Sequence, residues 1–63
     1  MTPREVMQRL RQEGWAEQPG KGSHVKFTKD DHMVIVPNHR GDIKTGTLRA
    51  IYRDAGWQWP LRR

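Results

Sequence analysis

Cysteine is absent from these 63 residues. That removes disulfide staples, zinc–thiolate sites and thiol nucleophiles together. Long apolar runs are missing too, and no stretch approaches the roughly 20 residues of a membrane-spanning helix. The start does not read as a signal peptide, because Thr2 to Glu13 carries alternating charge where an apolar segment would be needed. No internal repeat, low-complexity segment or domain boundary appears. Acidic residues are the minority among the charges, 7 against 12 Lys plus Arg, which leaves a net charge of +5 and a pI of about 10.5. These absences predict one domain over residues 1–63, in a reducing, cytoplasmic setting. Its length is near the lower limit for a core without staples.

With 33% hydrophobic residues, the core must rest on a few large side chains, the three Trp among them. The basic balance favours polyanion partners: nucleic acid first, an acidic protein second, an anionic membrane surface third. A membrane partner is not expected, because the basic residues are spread along the chain and do not line one amphipathic helix. A solvated surface that happens to be basic is the plainer alternative.

Thr2-Pro3-Arg4-Glu5 has the capping-box arrangement, a hydroxyl, Pro at the first helical position and Glu at the third. Val6, Met7 and Leu10 continue it as a narrow apolar stripe, and Gly14 supplies the stop. Trp15 to Gln18 reads as a short strand ended by Pro19-Gly20. Gly20 to Ser23 is a tight connection. Val25 and Phe27 then alternate with polar residues, Lys29 to His32 reads as a turn, and Met33 to Val36 is a second β-rich run closed by Pro37. A second helix is predicted from about Lys44 to Ala55, with Leu48, Ile51 and Ala55 inward and Gly56 as the stop. Pro60 precludes further regular helix in the tail. The order is α-β-β-β-α, an α+β fold.

Placing Asp30 and Asp31 at the hairpin tip sets Phe27 opposite Val34 and Val25 opposite Val36 on the core face. His24, Lys26, Met33 and Ile35 then share the other face. The same register brings His24 near Pro37-Asn38-His39, while a slip of one residue would reverse the faces.

His24 follows Gly22-Ser23 at the mouth of a strand. The glycines allow a phosphate backbone to approach closely, and Lys21 and Lys26 put cations nearby. An imidazole there can act as a general base on a ribose 2′-hydroxyl or as a general acid toward a leaving oxygen. It can equally be a surface histidine beside a loop. His39 is a candidate second proton-transfer group, supported only by the register. His32 reads as an ordinary exposed residue, and Asp30 and Asp31 as turn formers. Two histidines without a convincing carboxylate between them suit a metal poorly. Gly46-Thr47, at the start of the second helix, has free amides, with Lys44 and Arg49 nearby as a weak phosphate site. The Trp residues could stack on bases, although Trp15 suits a core and Trp57 and Trp59 a helix edge.

Several segments in this order resemble the HicA family of bacterial toxins. They are Glu13-Gly14-Trp15, Gly20-Lys21-Gly22-Ser23-His24, Val34-Ile35-Val36-Pro37-Asn38-His39, and Gly46-Thr47-Leu48-Arg49 through Ile51 to Asp54-Ala55-Gly56. The resemblance covers nearly the whole chain, except that Trp57 to Arg63 has no clear counterpart. It implies a double-stranded-RNA-binding-like fold, with two helices on one face of a three-stranded antiparallel sheet. It also implies an mRNA-cleaving toxin whose catalytic histidine maps onto His24, no metal or organic cofactor, and inhibition by a HicB-type antitoxin. The RNA-contacting set would comprise Lys21, Gly22, Ser23, Lys26, His39, Lys44, Thr47 and Arg49. The alternative is a non-catalytic RNA-binding module of the same fold, with His24 touching phosphate only.

Overall fold

The computed structural model describes residues 1–59. The expectation for Pro60 lies outside the described residues, as do Leu61, Arg62 and Arg63.

Helix α1 spans Pro3–Gln12. Its capping box is complete: the Glu5 amide donates to Thr2 Oγ1 at 3.2 Å, and the Thr2 amide donates to the Glu5 carboxylate at 2.8 Å. Strands β1 (Ala16–Pro19), β2 (His24–Lys29) and β3 (His32–Pro37) form an antiparallel sheet in that order. Helix α2 covers Thr45–Ala55 and stops at Gly56, whose φ is +76°. The layout is the predicted α-β-β-β-α, with an open three-stranded sheet.

The β2–β3 register follows the apolar alternation. Val25 pairs with Val36 and Phe27 with Val34 across a two-residue tip, Asp30-Asp31. Phe27, Val34 and Val36 are fully buried against Val6 and Leu10 of α1 and Ile51 of α2, so both helices cover one sheet face. The opposite face carries His24, Lys26 and Ile35, with Met33 half exposed beside them.

Three details differ from the sequence expectation. Strand β1 begins at Ala16, because Trp15 turns into the core and its amide closes on the Leu10 carbonyl at 3.0 Å. The strands of the hairpin are longer than their apolar runs, since ladder pairing continues to Lys29 and His32. The buried set also includes Ile43 and Tyr52, which the helix stripe did not contain.

Charged groups tie the elements together. Arg11 grips Glu17 with two bonds of 2.8 and 3.2 Å, joining α1 to β1. The Glu13 carboxylate accepts from the Trp57 indole at 2.7 Å and from Arg9 at 3.2 Å, while the Lys29 ammonium donates to its backbone carbonyl at 2.8 Å. The Arg9 guanidinium also lies 4.1 Å from the Trp57 ring centroid.

Candidate functional site

The connection from β1 to β2 is built around the backbone of His24. The His24 amide donates to the Lys21 carbonyl at 3.0 Å, and the Gly20 amide donates to the His24 carbonyl at 3.2 Å. Gly22 takes φ +58° at the apex, a conformation that costs glycine little. Gly20 is required for a different reason. A β-carbon there would stand 2.7 Å from the His24 carbonyl oxygen, closer than real contacts allow. On the other side of β2, His24 pairs with Pro37, and the Asn38 amide reaches the Ser23 carbonyl at 2.8 Å. The main chain around His24 is therefore held from both sides.

Its side chain is exposed, with Nδ1 3.2 Å from the Lys21 carbonyl. A carbonyl oxygen only accepts, so that contact places the ring proton on Nδ1. In the neutral ring Nε2 then keeps its lone pair, the form a general base needs. Lys21 thus contributes through its backbone as well as its charge.

Around the ring lies an open pocket of about 570 Å³, lined by Pro19, Gly20, Lys21, His24, Lys26 and Ile35. Two cations and an imidazole converge there with no carboxylate in the lining, an arrangement suited to a phosphodiester. Lys26 is half-buried on the sheet, whereas Lys21, Gly22 and Ser23 stand exposed in the turn. Pro19 and Gly20 were not legible as site residues. Their sequence signal was only that of a tight turn, and their role depends on pairing with the start of β2.

The remaining sequence candidates sit elsewhere. His39 leaves the sheet at the same end as His24, but its Nδ1 donates to the Arg40 carbonyl at 2.8 Å and the residue does not line the pocket. Lys44 occupies the N-cap of α2 without a side-chain cap bond, and Thr47 is exposed in the first turn. Arg49 faces a different recess, 5.5 Å from the centroid of Trp59. Among the described residues no group of three or more His, Asp or Glu is arranged to hold a metal ion. Among them, too, no helix is long and apolar enough to cross a membrane.

The sequence model of a protein family described as "HicA toxin of bacterial toxin-antitoxin" matches residues 3–57. No curated protein matches the chain.

Proposed function

This chain belongs to the HicA family of bacterial toxins, and we propose that it is a cytoplasmic, metal-independent endoribonuclease that cleaves mRNA with His24 as general acid–base. Membership makes it the toxin half of a toxin–antitoxin pair. In this reading its inhibitor is a HicB-type antitoxin that covers the His24 pocket.

The observation that carries the proposal is the Nδ1 contact with the Lys21 carbonyl, which leaves the Nε2 lone pair of the neutral ring available in a pocket that Lys21 and Lys26 also line. Nε2 removes the proton of a ribose 2′-hydroxyl, and the 2′-oxygen attacks the adjacent phosphorus. The bond to the 5′-oxygen breaks, leaving a 2′,3′-cyclic phosphate, and the proton returns from the imidazolium to the departing 5′-oxygen. The Lys26 ammonium offsets the negative charge that builds on the phosphoryl oxygens, and Lys21 helps to bind the phosphate backbone.

One observation favours the non-catalytic module instead. Among the described residues His24 is the only imidazole in the pocket, so in the catalytic reading a single ring must serve as both base and acid.

Cleavage of a long single-stranded RNA in EDTA, by the protein and by His24→Ala, separates the two readings. The proposal expects a loss of about 10²–10⁴-fold in the variant with its circular dichroism unchanged. Equal cleavage by both proteins would transfer the chemistry to another group. Binding without cleavage by either would make the chain an RNA-binding module.

A further inference from the structure

We infer that a second recess, between α2 and the two C-terminal tryptophans, is a nucleotide site that takes one unstacked base and its neighbouring phosphate. Only the choice of nucleic acid over protein rests on the reading above; the recess itself follows from the sequence of α2.

Gly46, Arg49, Ala50 and Arg53 recur at intervals of three and four, so they share one stripe of the helix. Two of the four are small. Gly46 has no side chain, and a β-carbon placed there would meet nothing within 4 Å. With Ala50 it leaves a low floor, flanked by the arginines and closed by Tyr52, Trp57 and Trp59, in a recess of about 480 Å³. That volume lies within the roughly 300–1,000 Å³ of ordinary small-ligand sites.

The aromatic wall is fixed in place. Tyr52 meets Trp57 edge to face at 5.1 Å and 86°, and Trp59 at 5.0 Å and 81°. Trp57 is buried, bonded to Glu13 and covered by Arg9. Trp59 is only half-buried, so it is the ring with surface left for a ligand. Arg53 is already paired with Asp54 at 3.3 Å. Arg49, 5.5 Å from the Trp59 centroid, makes no ion pair among the described residues.

An indole beside a guanidinium suits a nucleotide. The base stacks on the ring, and the planar fork of the arginine matches a phosphate. Among the described residues no carboxylate lines either this recess or the His24 pocket. Helix α2 starts after the connection 38–44, which leaves the sheet beside His24. The family match covers residues 3–57, and Trp59, the outer wall, lies beyond it.

The test is equilibrium binding of a labelled single-stranded DNA, which lacks the 2′-hydroxyl and cannot be cleaved by the proposed chemistry. Trp59→Ala should weaken binding roughly tenfold without changing the salt dependence, and Trp59→Phe should restore most of the loss. Arg49→Ala should weaken binding and lower the slope of log affinity against log salt by about 0.7. Wild-type affinity in both Trp59→Ala and Arg49→Ala would overturn the site. So would variants that weaken only the binding of an acidic antitoxin peptide, since the recess would then be a protein contact. If Trp59→Ala fails to fold, Trp59→Phe and Arg49→Ala decide the question. RNA cleavage is not part of the readout, so an inactive ribonuclease would leave the result standing.

Discussion

The amide of Gly20 bonds to the carbonyl of His24 at 3.2 Å, and a β-carbon on Gly20 would meet that same oxygen at 2.7 Å. The oxygen is backbone, on a strand tied to β3 on its other side by the Asn38 amide bonding to the Ser23 carbonyl, so it cannot step aside as a flexible side chain would. The position of the imidazole therefore depends on a missing methyl group four residues earlier.

Gly20→Ala should move the His24 main chain and lower RNA cleavage by about 10- to 100-fold, a cost typical of misplacing a catalytic group by up to an ångström. Overpacking of this kind also costs about 1–3 kcal/mol of stability. Initial rates together with urea unfolding measure both effects. Wild-type cleavage in this variant would mean that the contact does not set the position of His24.

The two lysines should separate in kinetics. Lys21→Ala keeps the carbonyl that fixes the His24 tautomer, so it should raise KM and flatten the salt dependence by about 0.7 per lost phosphate contact, with kcat largely kept. Lys26→Ala removes a half-buried charge from the reacting region and should lower kcat as well. Steady-state cleavage across a salt series distinguishes these patterns.

Acid should loosen the junction between α1 and the C-terminal segment. The Trp57 indole N–H and the Arg9 guanidinium hold the Glu13 carboxyl below the usual carboxylate range. A depressed folded-state value means the stabilisation is complete above the ordinary carboxylate pKa and disappears as pH falls through the folded value. Thermal unfolding followed between about pH 6 and pH 3 should show Tm falling more steeply in the wild type than in Glu13→Gln. Parallel curves would remove Glu13 from the acid response.

The sheet register predicts opposite outcomes for residues on its two faces. Phe27→Ala empties a fully buried site and should cost about 3–5 kcal/mol, enough to unfold much of a domain this small. Met33→Ser, on the outer face at 52% exposure, should change stability by about 0.5 kcal/mol or less. Circular dichroism melts of the two variants check the assignment.

The hairpin could be read because Val25 and Phe27 are β-prone residues alternating up to two aspartates, and only one register buries them with Val34 and Val36. The capping box and Gly56 were readable for a similar reason, since each acts within one turn of the chain. Ile43 hid in a loop. The phenol of Tyr52 disguised a buried ring that touches both Trp57 and Trp59. The Trp57–Glu13 bond joins residues 44 apart, beyond any local pattern. At the site, Gly-Ser-His pointed to His24, but the register could not show that His39 would turn to its neighbour's carbonyl.

The contacts of the residues that flank α1 also bear on the order in which the protein is made. The Ile43 amide bonds to the Met1 carbonyl at 2.8 Å, the Tyr52 hydroxyl reaches Met1 Sδ at 3.0 Å, and Trp57 closes on Glu13. The helix that leaves the ribosome first thus receives the last part of its packing surface only after residue 57 has been added. Until then Val6, Met7 and Leu10 lack the part of the shared core that α2 and Trp57 supply, and a chain interrupted before that point leaves this core incomplete.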